Sequence, residues 1–300
     1  MGDPHRVPEH ARLLESLGFD YLAWGEHIFI KPGLRPSSPA LPFLAVAAGA
    51  TQRLRLLTSI TLLPIYHPIL LAKEVTALDI ASNGRFTLGV GVGGEYPEEL
   101  QVMGVDPKDR GRRANEILQV MKRLWTEPQV SHQGAFFQFE EMVLNPRPVQ
   151  QPHPPIWVAG RKAPAMRRAA RWGDGWYPYF YTPEMYRDSV QKIDEMASEQ
   201  GRDLREFQWA CMVHGCLADS REEAISIAAE ALGGRYSSRS RWHELAEKYT
   251  VAGTPRDCIE RLTQYIEAGV RHLIFSWVGP REHRERDLDT LAREVLPHLR

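Results

Sequence analysis

The chain has 300 residues, 43% hydrophobic and 25% charged, which are ordinary values for a globular protein with a large core. Thirty-seven basic and 38 acidic residues leave a formal net charge of −1, so bulk charge gives no support for binding nucleic acid or an anionic membrane. No apolar run approaches the roughly 20 residues of a membrane span, the opening MGDPHRVPEHARLLE carries no apolar leader core, and Cys211, Cys216 and Cys258 read as buried free thiols; a cytoplasmic location is expected.

Val7, Ala11, Leu14 and Leu17 recur at helical spacing in VPEHARLLESLG, and Gly18 suits the position just past a helix end. FDYLAWGEH then reads as a strand. The same alternation continues down the chain. PFLAVAAGATQ leads to LRLLTSITLLP, and ILLAKEVTALDIASNG to RFTLGVGVGG. RRANEILQVMKRLW leads to PPIWVAG after an interruption, Pro128–Pro152, which reads as an inserted β-hairpin with a proline-rich exit. PAMRRAARWGDG leads to WYPYF, TPEMYRDSVQKIDEMASEQG to FQWACMVHGCLA, and PRDCIERLTQYIEAG to VRHLIFSWVG. Gly233–Ser240 is polar and rich in Gly and Ser, and reads as a loop. HRERDLDTLAREVLPHL is a last helix. Thr182-Pro183, Thr254-Pro255 and Ser220 with Glu223 supply helix-start signals.

Short, nearly all-apolar strands alternating with amphipathic helices indicate a parallel α/β sheet buried on both faces. About seven strands and no second composition zone indicate one domain over residues 1–300. A doubly wound open sheet and a closed (β/α)8 barrel both remain, and the count and length favour the barrel.

In a barrel, chemistry sits at the C-terminal strand ends. The residues there are Glu26-His27, Ser59-Ile60-Thr61, Gly93-Gly94-Glu95, Gly160-Arg161, Tyr177 to Tyr181, His214 and Ser276-Trp277. His27 has the side chain for proton transfer near neutral pH, and Glu95 is a second acid–base candidate. Trp24, Tyr177, Tyr179, Phe180, Tyr181 and Trp277 suggest a flat aromatic pocket, although core packing accounts for several equally well. Gly89-x-Gly91-x-x-Gly94 matches a dinucleotide fingerprint literally, but the glycines fall inside a strand and the long helix begins only near Asp109. His27, His67, His153 and His214 are scattered, without the local pairing that fixes a metal, so no metal is expected.

The run TSITLLPIYHPILLAKEVTALDIASNGRFTLGVGVGGEYPEEL, followed by RGRRANEILQVMKRLWTEP, PPIWVAGRKAPAMRRAARWGDGW and AGTPRDCIERLTQYIEAG, resembles the luciferase-like family of flavin- and deazaflavin-dependent oxidoreductases. With GFDYLAWGEHI these segments cover most of the chain. The resemblance implies a luciferase-like TIM barrel with an insertion before the fifth strand. It also implies a first strand ahead of the first helix, which this chain does not display. It implies His27 and Glu95 as catalytic residues. Glu26, Ser59, Ile60, Gly93, Gly94, Gly160, Arg161 and Trp176 are the implied cofactor-binding residues, with a cis peptide at Ser59–Ile60. RKAP stands where many relatives carry small hydroxyl residues next to the phosphate. Coenzyme F420 is the expected cofactor, with hydride transfer to or from a small organic substrate. FMN with monooxygenase chemistry is the alternative, and a non-catalytic flavin-binding barrel is a third reading. A homodimer is expected, with neither nucleic acid nor membrane as partner.

Overall fold

Hydrogen bonding between strands follows chain order. In the computed structural model, which describes residues 4–28, 39–236 and 241–299, the first elements are α1 (Val7–Ser16), β1 (Tyr21–Trp24), α2 (Ala40–Ala50), β2 (Arg55–Thr58), β3 (Thr61–Leu62), α3 (Pro68–Ala81) and β4 (Phe86–Gly91). Next come α4 (Pro97–Val102), α5 (Arg110–Thr126), β5 (Val130–Gln133), β6 (Gln138–Met142), β7 (Ile156–Ala159), α6 (Ala163–Trp172) and β8 (Gly175–Tyr177). The last are α7 (Pro183–Ser198), β9 (Gln208–Leu217), α8 (Arg221–Arg235), α9 (Trp242–Tyr249), β10 (Thr250–Gly253), α10 (Pro255–Glu267), β11 (His272–Trp277) and α11 (Arg284–Thr290).

Strands β1, β2, β4, β7, β8, β9 and β11 lie side by side, all parallel. A doubly wound sheet reverses its strand order at a switch point. This sheet never does, so it curls as a TIM barrel. Alternation of side chains makes two cores. Leu56, Leu88, Val90, Ile156 and Val158 face outward into the helix layer. Leu57, Trp157, Tyr177, Ala210 and Ile274 fill the interior. Among the described residues no ladder joins β11 to β1, and no strand precedes β1. Tyr21 and His272 meet across the interior instead, with ring centroids 5.9 Å apart and Trp157 against both.

Gly89 and Gly91 are part of the interior wall of β4. A Cβ on Gly89 would strike the Thr58 carbonyl oxygen, and one on Gly91 would strike the Ile60 side chain. Their absent side chains admit the neighbouring β2 segment, not a pyrophosphate, and the dinucleotide reading is set aside.

The inserted hairpin is present as β5 paired antiparallel with β6. The half-buried Glu116 carboxylate fixes its turn by accepting N–H bonds from Ala135, Phe136 and Phe137 at 2.9–3.2 Å. Thr182, Ser220 and Thr254 all cap helices through their hydroxyls, and at Thr254 the Asp257 carboxylate completes a reciprocal capping box. Two expectations need correction. Gly233 and Gly234 belong to α8, which continues to Arg235; Gly233 lets the Trp242 ring lie 3.1 Å from where a Cβ would stand. The rest of that expected loop, residues 237–240, lies outside the described residues. The final helix is α-helical only to Thr290. It then widens into a π turn over Leu291–Val295 and tightens at Leu296–His298, where Pro297 has no N–H to continue the ladder.

Candidate active site

All seven barrel strands point their C-terminal ends to one side. After β1, Gly25 presses on β2, so close that a Cβ would stand 2.5 Å from the Ser59 carbonyl oxygen. Successive residues of an extended chain face opposite ways, and this separates the next two. Glu26 turns into the protein and is 4% exposed. Its carboxylate accepts from the Leu62 N–H at 3.1 Å, the Ala40 N–H at 3.3 Å and the Tyr66 hydroxyl at 3.0 Å. Burial raises its pKa above the usual carboxylate range, against the pull of those donors. Glu26 therefore braces the wall, tying β3 and the start of α2 to β1.

His27 turns the other way. Its side chain is 35% exposed, and its Nδ1 lies 3.0 Å from Glu99 Oε2 and 3.2 Å from Oε1. The Tyr96 ring meets it edge-on at 5.2 Å. Glu99 is 3% exposed and also accepts the Ile28 N–H at 2.7 Å. Glu95 stands four residues before it, in the bend that leads into α4, after Gly93 and Gly94, both with positive φ. Glu95 is exposed, with its carboxyl partly desolvated by the neighbouring rim. That desolvation raises its carboxyl pKa, while His27 and a hydrogen bond from Tyr96 oppose the shift.

The Ser59–Ile60 peptide at the end of β2 is cis. The Ser59 hydroxyl lies 2.9 Å from the Tyr177 hydroxyl, inside the barrel. At the end of β7, Gly160 has φ +126° and no room for a Cβ, which would come within 2.7 Å of Ala165. Trp176 is fully buried among Tyr181 and Tyr186 and donates its indole N–H to the Gly160 carbonyl at 2.9 Å. It thus positions this turn from behind rather than lining the open face. The Arg161 guanidinium lies over the Tyr179 ring at 5.0 Å. Helix α6 starts after Lys162 with no side-chain cap.

The opposite rim joins the expected His214, Phe180 and Ser276 to Arg235 and Tyr236, which the sequence reading left in a loop. Arg235 donates to the Ser276 hydroxyl at 2.9 Å and lies close enough to Glu95 to stabilise its charge. His214 is 1% exposed. Burial, aided by Arg235, lowers its pKa to about 3, so it is neutral in water of ordinary pH. The Phe180 ring packs on His214, Tyr236, Trp242 and Tyr249 at centroid distances of 4.8–6.2 Å. Trp24, expected in an aromatic pocket, is buried on the helix side and stacks on Phe43. Glu99 had only a weak signal, its place four residues past Glu95 in GEYPEE; α4 begins at Pro97, so the two are not on one helix face. Arg235 had none, hidden in a glycine-rich run.

The family model described as luciferase-like monooxygenase matches residues 1–272. The 4-hydroxyprotoasukamycin monooxygenase of Streptomyces nodosus subsp. asukaensis is 31% identical, over 97% of this chain and 85% of its own length. An F420-dependent glucose-6-phosphate dehydrogenase of Beutenbergia cavernae is 27% identical, over 99% of this chain and 94% of its own. The crystal structure of monooxygenase RslO1 from Streptomyces bottropensis superposes with a TM-score of 0.83 at 26% identity, covering 99% of this chain and 94% of that one. Such relatives include both flavin-dependent and F420-dependent enzymes, and the reading as a non-catalytic barrel gives way. With its curled parallel sheet, and with the family model matching nearly the whole chain, this chain belongs to the luciferase-like monooxygenase family and is an oxidoreductase of that family.

Proposed function

We propose that the protein transfers hydride between coenzyme F420 and a small organic alcohol or carbonyl compound. The observation that carries this reading is His27, held 3.0 Å from a buried carboxylate at the open end of the barrel. Interconverting an alcohol and a carbonyl moves a proton at oxygen whenever hydride moves at carbon, so the site needs a base that is already oriented. His27 holds that proton, and Glu95, with its raised pKa, is the second group able to hold one.

The residues present fit the cofactor at two points. Arg161 and Lys162 beside the uncapped start of α6 suit a phosphate. Gly93, Gly94 and the Ser59–Ile60 segment offer backbone at the barrel mouth for a flat ring. When bound, F420 supplies a two-electron hydride carrier. FMN-dependent monooxygenation is the second reading, favoured by the 31% identity to a monooxygenase.

Fluorescence titration of the purified protein with F420 and, separately, with FMN tests the choice. Tight binding of F420 alone is expected, and preference for FMN overturns the reading. With F420 bound, His27→Asn is expected to lower kcat about 10²-fold without weakening cofactor binding.

The same reading places the protein in the cytoplasm, where its three buried free thiols stay reduced. No described helix is long and apolar enough to cross a membrane. A homodimer completes the proposal. Helix α2, ALPFLAVAAGA, has no polar side chain on any face, and Pro42, Ala45, Val46 and Gly49 are exposed beside Leu70 and Ile80 of α3. An all-apolar helix on a surface is the signature of a face that another surface covers.

A further inference from the structure

Glu99 has no expected role from the sequence, yet it is the most enclosed carboxylate at the rim, 3% exposed. Burying a carboxylate is costly unless its oxygens are satisfied. Its Oε1 takes the Ile28 N–H at 2.7 Å, and both oxygens lie within 3.2 Å of His27 Nδ1. The local sequence fixes this placement. Pro97 opens α4, Glu99 is in its first turn, and the fully buried Leu100 beside it anchors that turn to the core. Because the Ile28 N–H belongs to the same backbone segment as His27, carboxylate and imidazole are held in one closed ring of bonds and cannot drift apart.

We propose that Glu99 is the positioning residue of the active site and sets the tautomer of His27. An ionised carboxylate only accepts hydrogen bonds. Facing it, Nδ1 of the neutral imidazole carries the hydrogen, and Nε2 becomes the nitrogen that takes or gives the substrate's proton. When His27 is protonated, the fixed carboxylate stabilises the cation without moving. Glu99 does not touch substrate in this arrangement. It acts through the ring, as outer partners of functional histidines do elsewhere. The role in turnover rests on the function proposed above, whereas the tautomer does not.

The test therefore begins without cofactor. Nitrogen-15 NMR of the histidines, with the His27 signals assigned by their loss in His27→Gln, reads the tautomer directly. The Nδ1–H form is expected in the unsubstituted protein, and the Nε2–H form there overturns the proposal whether or not any variant folds. Glu99→Gln keeps the shape and the Ile28 bond but turns an amide N–H toward the ring. It is expected to shift the population to Nε2–H and to lower kcat with F420 about 10²-fold, with KM and cofactor affinity within about two-fold. Glu99→Asp, which keeps the charge, recovers part of the loss. An unchanged tautomer in Glu99→Gln overturns the proposal. A changed tautomer with unchanged turnover supports it and removes the base role of His27 instead.

Discussion

Glu95 and Glu99 are four residues apart, one before α4 and one in its first turn, and end in opposite physical situations. Glu99 is enclosed and held by two donors. Glu95 has the Tyr96 hydroxyl as a donor and His27 and Arg235 nearby, but desolvation outweighs them, so its charged form is disfavoured and its pKa rises. The sign is simple: a raised carboxyl keeps its proton to higher pH than an ordinary one. If Glu95 supplies a proton during carbonyl reduction, kcat in that direction declines as pH rises through the raised value. Glu95→Gln cannot ionise, so this limb is expected to vanish from its pH profile, at a lower plateau. Identical profiles for the two proteins would remove Glu95 from proton transfer. The residue scale also marks how far the sequence could be read. Glu26 and His27 were legible as a strand-end pair, but adjacent residues face opposite sides, and one sequence does not say which side is the barrel mouth. The structure gives that side to His27 and makes Glu26 a brace.

Individual elements were more legible than their ends. Helical periodicity, capping hydroxyls and Pro at first helical positions located α7 and α10 from local chemistry alone. Helix α8 was cut short because Gly233 and Gly234 imitate a loop. Their real function is steric, and nothing local says that Trp242 will lie against them. In the same way, the glycines of β4 imitate a nucleotide motif but serve strand packing. Gly89 is the sharper case, because the colliding atom is the Thr58 backbone carbonyl, which cannot rotate away. Gly89→Ala is expected to destabilise the fold by about 3 kcal/mol or more, beyond ordinary overpacking, seen as a lower midpoint in thermal unfolding. Gly91 meets the end of a flexible Ile60 side chain, and the same substitution there is milder. A smaller effect at Gly89 than at Gly91 contradicts this account.

At the scale of the molecule, composition fixed the class, and alternation of strand and helix fixed the parallel sheet. Singly wound topology was not readable from periodicity, because doubly wound sheets share the pattern. The apolar outer side of α2, with Leu70 and Ile80 of α3 exposed as well, gives the proposed dimer its test. Val46, 48% exposed on α2, replaced by Lys is expected to leave the fold intact and convert a dimer to monomer in sedimentation velocity. A monomer before substitution, or an unmoved dimer after it, excludes this face.

Chain-ordered strands also have a consequence for synthesis. As the polypeptide leaves the ribosome, each of the barrel strands β2, β4, β7, β8 and β9 finds a neighbour already made, and folding can proceed vectorially with short loop closures. Strand β9 breaks this rule. Its free edge, Ala210–Gly215, waits for β11 while α8, α9, β10 and α10 are still being translated. For that interval a buried, nearly all-apolar strand has an uncovered flank, which makes it the stage of biogenesis most in need of a chaperone.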